Sequence, residues 1–170
     1  MACCVRPWVV RLNLAIAAIG GLLGLIAFLC FGFYFHNEHA AVWGLVSALL
    51  ASVVALLHYL YIKEELDVWY SGGGLYNIAF LGLCGALMGL AGLIFYVFLI
   101  IYYKLPFSAS EISDSYYIAT VWSFMTAKWG MGLFMHARNY KTILEGEDDG
   151  LRPLCDREYL SCSLHDPIGA

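Results

Sequence analysis

The first candidate functional residue of this 170-residue chain is a lysine inside a long apolar stretch. Lys128 lies near the middle of an otherwise uncharged run, where an ionisable group costs roughly 2.5–3.5 kcal/mol and usually faces an anion or a polar cavity. The apolar runs contain no Asp or Glu, so we expect the counter-charge on a ligand, with Tyr117 on nearly the same helix face. The structural alternative is a lysine bonded to backbone carbonyls or to hydroxyls such as Ser123 and Thr126.

A histidine in another apolar run is the second candidate. His58 shares a helix face with Tyr61 and, further along, with Glu65, at positions i, i+3 and i+7. Histidine and tyrosine can both serve as axial ligands of haem iron, and a neutral imidazole is buried at far lower cost than a charge. A single membrane histidine also often hydrogen-bonds to a neighbouring helix, so the ligand and the structural interpretations both stay open here.

Two further histidines lie between the first and second apolar runs. His36 and His39 form a His-x-x-His pair, a spacing at which two imidazoles can bind a metal. The pair has no third ligand in sequence, and solvated loop side chains are the alternative. The tyrosines expected at the same surface fit an interfacial aromatic belt or a ligand role, and they are Tyr102, Tyr103, Tyr116 and Tyr117.

The end of the fourth apolar run combines ligand and cation chemistry. His136 and Tyr140 are two potential iron ligands, and Arg138 lies between them as a cation suited to carboxylates. Arg138 and Lys141 also fit the ordinary positive anchor of a membrane helix. The chain has no Walker loop, Ser-His-Asp series or His-Glu-x-x-His helix, so we do not expect an enzyme.

Membrane helices must position these side chains. The chain is 62% hydrophobic and 13% charged, whereas soluble domains are about 45–50% apolar and about 25% charged. A spanning helix needs about 20 apolar residues. Four runs qualify, and they predict an all-α integral membrane protein with four transmembrane helices and short loops, at about residues 12–35, 40–62, 75–103 and 115–137.

The distribution of lysine and arginine predicts that both termini are cytosolic, because seven basic residues then lie inside against Lys104 alone outside. Residues 1–11 become a cytosolic N-terminus, 12–137 the transmembrane domain, and 138–170 a polar, disordered cytosolic tail. Cys3 and Cys4 beside the first helix are either palmitoylation sites or free thiols. A net charge of −4 disfavours nucleic acid as a partner.

Glycine stripes predict close helix contacts. Gly82, Gly85, Gly89 and Gly92 lie on one stripe of the third run. Small residues at such spacings let helix backbones approach one another. The contacts are expected inside the bundle, with a homo-oligomer as the alternative.

Taken together, the motifs resemble the heme-responsive-gene family of haem transporters, which are four-helix proteins of endosomal, lysosomal and plasma membranes. The matching segments are Ser115-Tyr116-Tyr117, Val121-Trp122-Ser123-Phe124, Lys128-Trp129, His136-Ala137-Arg138-Asn139-Tyr140, and His58-Tyr59-Leu60-Tyr61 leading to Trp69. The resemblance implies that haem moves from the exoplasmic or lumenal side to the cytosol. It equates His58 with the helix 2 ligand of the family.

Two departures from the family pattern affect the expected ligands. Members often carry a histidine between helices 3 and 4, and residues 104–114 have none. His36, His39, Tyr102 or Tyr103 is expected to replace it. The C-terminal motif begins with His136 where an aromatic residue is usual, which adds a ligand on the exit side.

The predicted path follows from these matches. An exoplasmic His or Tyr receives haem, Lys128 offsets a propionate, His58 coordinates the iron transiently, and Arg138, Tyr140 and His136 accept haem at the cytosolic face. Lys128 and His58 are expected to differ in depth by roughly 8 Å, so that one haem contacts both.

The expected partners are haem and the bilayer, and haem is the transported ligand, with no permanent cofactor. Two alternatives remain. One is an electron-transfer protein that holds haem permanently, and the other is a tetraspan scaffold.

Overall fold

The computed structural model describes residues 7–70, 72–104 and 115–148, and every regular element in this part of the chain is helical. Four long helices and one short helix are present, and a π-helical turn at Cys30–Tyr34 continues the first of them. They are α1 (Pro7–Leu29), α2 (Glu38–Ile62), α3 (Leu66–Trp69), α4 (Gly72–Tyr102) and α5 (Tyr116–Asp148). The predicted all-α fold with four long helices is confirmed.

Three of the long helical segments are long and apolar enough to cross a membrane: Trp8–Tyr34, Glu38–Ile62 and Gly73–Tyr102. They correspond to the first three predicted spans. The fourth span, on α5, stays a prediction, because this helix carries Lys128 and a polar second half. The predicted orientation of the termini also stays a prediction, and Cys3 and Cys4 lie outside the described residues.

The long helices pack in the order α1, α2, α5, α4. Glycines allow the closest approaches. A Cβ atom on Gly24 would lie 2.9 Å from the carbonyl oxygen of Gly44, and a Cβ atom on Gly82 would lie 2.9 Å from that of Gly130. Both distances are too short for a side chain, so these glycines serve packing between α1 and α2 and between α4 and α5.

Asn37 fixes the start of α2 beside the start of α5. Its side-chain oxygen accepts a 3.0 Å hydrogen bond from the backbone N–H of Ala40, as an N-cap does. Its amide nitrogen donates to the carbonyl oxygen of Ser115 at 3.2 Å. Asn37 is 3% exposed, and its link to the half-buried Ser115 is partly buried. The beginnings of α2 and α5 therefore lie side by side.

The end of α5 differs from the predicted disordered tail. The helix continues past residue 137 to Asp148, so disorder is the wrong prediction for 138–148. Tyr140, Ile143 and Leu144 lie at i, i+3 and i+4 and pack against the hydrophobic core, and no Pro or Gly occurs between residues 138 and 145. The apolar spacing within a mostly polar segment thus extends the helix. The rest of the predicted tail, 149–170, lies outside the described residues.

Candidate functional site

A buried cluster joins α2 to α5 near the end of α2. His58 is 1% exposed, and its Nδ1 atom lies 2.5 Å from the hydroxyl oxygen of Tyr140, which is 3% exposed. Tyr61 stacks on Tyr140, with ring centroids 4.7 Å apart and an interplanar angle of 26°. The i, i+3 spacing of His58 and Tyr61 places both against the same residue of α5. We call His58, Tyr61, His136 and Tyr140 the inner cluster.

His136 completes the inner cluster. Its ring centroid lies 4.5 Å from that of His58, edge to face at 72°. His136 is half-buried, whereas His58 is almost fully buried. The Nε2 atom of His58 is buried and has no hydrogen-bond partner among the described residues. A buried polar atom in this state costs about 1–3 kcal/mol, and a ligand that pairs with Nε2 would recover that cost.

The register between α2 and α5 sets the depth of Lys128. Thr126 Oγ1 donates to the carbonyl oxygen of Trp43 at 3.2 Å, and Tyr140 contacts His58, so the two helices run in parallel with a nearly constant offset. Lys128 is therefore about twelve residues from the level of His58, or about 18 Å at 1.5 Å per residue. The expected depth difference of roughly 8 Å is wrong. That expectation assumed that α2 and α5 end at the same depth, whereas α5 continues to Asp148.

Lys128 lies on the outer face of α5. The residue is exposed, and its neighbours on that face, Phe124 and Met131, are 52% and 46% exposed. The ammonium nitrogen lies 4.9 Å from the ring centroid of Trp129, within range of a cation–π interaction. Lys128 was expected to meet either an anion or a polar cavity, and in the structure it is exposed on the surface of the bundle and not enclosed in a cavity. Tyr117, predicted on nearly the same face, is half-buried.

Arg138 lies on a different side of α5 from the inner cluster. Its guanidinium is 5.3 Å from the ring centroid of Phe134, and the Lys141 ammonium is 5.5 Å from that of Tyr76 on α4. Both cations line a cavity of about 380 Å³ between α4 and α5. The segment from His136 to Lys141 is thus divided, with His136 and Tyr140 toward α2 and the cations toward α4.

A second polar cluster lies at the opposite end of α2, and we call it the outer cluster. Trp43 Nε1 donates to the hydroxyl oxygen of Tyr96 at 3.1 Å, and that oxygen lies 3.2 Å from His39 Nδ1. Because an indole N–H only donates, the Tyr96 oxygen accepts from Trp43 and is free to donate its proton to His39. Tyr116 borders the cluster, with its ring centroid 5.7 Å from that of His39.

The other predicted exoplasmic residues lie apart from this network. His36 is exposed and has a φ of 54° in the turn before α2. Tyr102 and Tyr103 are 67% and 62% exposed at the end of α4. Among the described residues no three His, Cys, Asp or Glu side chains are grouped to hold a metal ion. Tyr96 and Trp43 were not identified from the sequence, because no sequence pattern distinguishes them from the other aromatic residues of the apolar runs.

Comparisons with known proteins bear on this arrangement. A family model described as haem-transporter, endosomal/lysosomal, haem-responsive gene matches residues 75–129, which cover most of α4 and the first part of α5. Heme transporter hrg-1 of Caenorhabditis elegans is 25% identical over 148 residues, which are 85% of this chain and 74% of that protein. No solved structure matches the chain. The resemblance that the sequence motifs indicate is confirmed.

Proposed function

From its resemblance to the heme-responsive-gene family, we propose that this protein is a transmembrane haem transporter that moves haem from the exoplasmic or lumenal side to the cytosol. The observation that carries the proposal is the buried Nε2 atom of His58, which has no hydrogen-bond partner among the described residues and lies in a wall of His and Tyr side chains. Endosomal, lysosomal or plasma membranes are the proposed location.

His58 is the proposed transient axial ligand of the haem iron. Imidazole nitrogen coordinates iron in many haem proteins, and the second ring nitrogen of such a ligand is usually held by a hydrogen bond. In the tautomer with the proton on Nδ1, His58 donates to the Tyr140 hydroxyl oxygen, which leaves the unprotonated Nε2 for the iron. The His136 ring centroid lies 4.5 Å from that of His58, so His136 is the proposed next ligand as haem leaves toward the cytosol.

His39 is the proposed receiving ligand at the exoplasmic end, and His36 and Tyr117 are proposed as further haem contacts at that end of the bundle. His39 and His58 are 19 positions apart on one helix, or about 28 Å, which matches a hydrocarbon thickness of about 30 Å. The two clusters thus occupy opposite ends of α2. Iron binding at His39 Nε2 requires a proton on Nδ1 and rotation of the Tyr96 hydroxyl, which favours a weak ligand that releases haem.

Lys128 is proposed to contact a haem propionate between the two clusters. Its ammonium is exposed on the outer face of α5 beside Trp129, where a planar apolar ring and an anion can both be accommodated. At about 18 Å from the level of His58, it acts before the iron reaches that histidine. One haem therefore contacts Lys128 and His58 in succession. Arg138 faces α4, and we leave it out of the haem path.

A permanently bound haem is the less supported function. Two histidines that share one iron each bind at about 2.0 Å, which places their ring centroids about 6 Å apart on opposite sides of the metal. The centroids of His58 and His136 are 4.5 Å apart, too close to hold a haem between them. The inner cluster therefore favours a transported ligand over a resident electron carrier, and no catalytic reaction is proposed.

The test is uptake of a fluorescent haem analogue into proteoliposomes. We expect His58→Ala to lower the initial uptake rate at least tenfold at limiting analogue. Leu57→Ala is the matched control, because Leu57 is fully buried one residue away on the same helix and its truncation also weakens packing. Equal uptake by His58→Ala and wild type, at equal reconstitution, would contradict the proposal.

A further inference from the structure

A groove between α4 and α5 lies apart from both His and Tyr clusters. Its apolar walls include Tyr76 and Phe80 from α4 and Phe134 from α5, and its volume is about 380 Å³. Tyr76 and Phe80 are 61% and 59% exposed, so the groove opens to the surroundings of the bundle. An apolar chain of a membrane molecule can therefore enter it from the side.

One end of the groove is cationic. Arg138, Lys141 and Thr142 line it there, and no acidic side chain is among the lining residues. The Arg138 guanidinium and the Lys141 ammonium each lie over an aromatic ring of the wall, at 5.3 and 5.5 Å. A guanidinium and an ammonium together suit a phosphate group, and the Thr142 hydroxyl adds a hydrogen-bonding group.

The charged end is predicted to lie at the cytosolic membrane surface, where the sequence is expected to place most of its basic residues. Basic pockets between helices on the cytosolic side bind anionic lipid headgroups, because that leaflet carries the negative surface potential. Haem propionates are also anionic, but Arg138 and Tyr140 face different sides of α5, a helix about 10 Å across. A haem with its iron at His58 is therefore turned away from Arg138.

We propose that this groove binds an anionic phospholipid of the cytosolic leaflet. The headgroup phosphate lies at Arg138 and Lys141, and an acyl chain follows Phe80 and Leu83 along the groove. This site rests on the predicted cytosolic placement of the C-terminal end of α5 and is independent of the haem path.

The test measures the thermal unfolding temperature of the purified chain with and without added lipid. Phosphatidylserine should raise the unfolding temperature of wild type, whereas phosphatidylcholine and inorganic phosphate should not. In Arg138→Gln plus Lys141→Gln we expect at least tenfold weaker phosphatidylserine binding. Arg138→Lys plus Lys141→Arg should keep the effect. Lys63→Gln is the control, since Lys63 also lies over a ring, 5.9 Å from that of Tyr59, but outside the groove.

A second measurement uses wild type alone, because removal of two cations can impair membrane insertion. Photoactivatable phosphatidylserine in phosphatidylcholine vesicles should label peptides of α4 and α5 that contain Phe80 and Phe134, more than peptides of α1. Equal stabilisation of the glutamine variant by phosphatidylserine would overturn the proposal. So would uniform labelling of the helices, or displacement of the labelling lipid by haem, which would assign the groove to haem.

Discussion

Removal of the Tyr140 hydroxyl tests how the inner cluster is held. In Tyr140→Phe the aromatic ring remains, so the stack on Tyr61 is kept, while the 2.5 Å hydrogen bond to His58 Nδ1 is lost. His58 is 1% exposed and its Nε2 already lacks a partner among the described residues. A second buried ring nitrogen would then be unsatisfied, which costs about 1–3 kcal/mol. We expect the free energy of unfolding to fall by that amount.

The same substitution should weaken haem binding. Loss of the group that orients a ligating histidine typically lowers metal affinity about 10–100-fold. We expect a fall within this range when haem is titrated into the purified protein and followed by absorbance. The change should appear in affinity more than in the number of binding sites, because the His58 ring itself is still present.

Tyr59→Phe is the matched control for both measurements. Tyr59 also lies on α2 beside His58, but it is 48% exposed, and surface substitutions of this kind usually change stability by less than about 0.5 kcal/mol. A double-mutant cycle with His58→Ala should give a coupling energy of about 0.5–3 kcal/mol between the two residues. Zero coupling, with haem affinity of Tyr140→Phe equal to that of Tyr59→Phe, would refute the role assigned to the hydrogen bond.

Two further predictions concern helix packing and the order of haem contacts. Gly82→Ala should lower the unfolding temperature and the yield of monodisperse protein, because the new Cβ atom would lie 2.9 Å from the Gly130 carbonyl oxygen. Gly132→Ala is the control and should be tolerated, since nothing lies within 4 Å of its Cβ position. Lys128→Gln should slow haem uptake into proteoliposomes severalfold. The haem affinity of the protein should stay within twofold of wild type, because Lys128 is about 18 Å from the level of His58. A parallel loss of affinity would show that both residues contact the bound haem together.

The helices could be predicted from the sequence because bilayer length and apolar composition are local properties. The start of the second span was expected at residue 40, and α2 begins at Glu38, where the Asn37 cap sets the boundary. The extent of α5 could not be predicted in the same way. Its last turns are polar in composition and are held by Tyr140, Ile143 and Leu144 against the core, which is a tertiary contact.

The residues of the candidate site could be predicted from the sequence, but their arrangement in space could not. His58 was singled out as an ionisable residue within an apolar run and Tyr140 as a potential iron ligand, and the structure brings them into contact. The pairing depends on the parallel offset between α2 and α5, which no spacing within one helix determines. The same offset explains why the depth of Lys128 was misjudged. Tyr96 and Trp43 were missed because the contact of Tyr96 with His39 and Trp43 joins α4 to α2, and no spacing within either helix indicates it.

The position of α5 explains how the least apolar of the long helices is accommodated. It packs between α2 and α4, so two of its sides are covered by neighbouring helices. Ser123 and Thr126 are fully buried and bond to backbone carbonyls, which lets hydroxyls enter a bundle without an unsatisfied group. Lys128 is different, because it faces outward with only Trp129 beside it among the described contacts. Because the described packing does not account for this exposed cation, we propose a ligand anion as its partner.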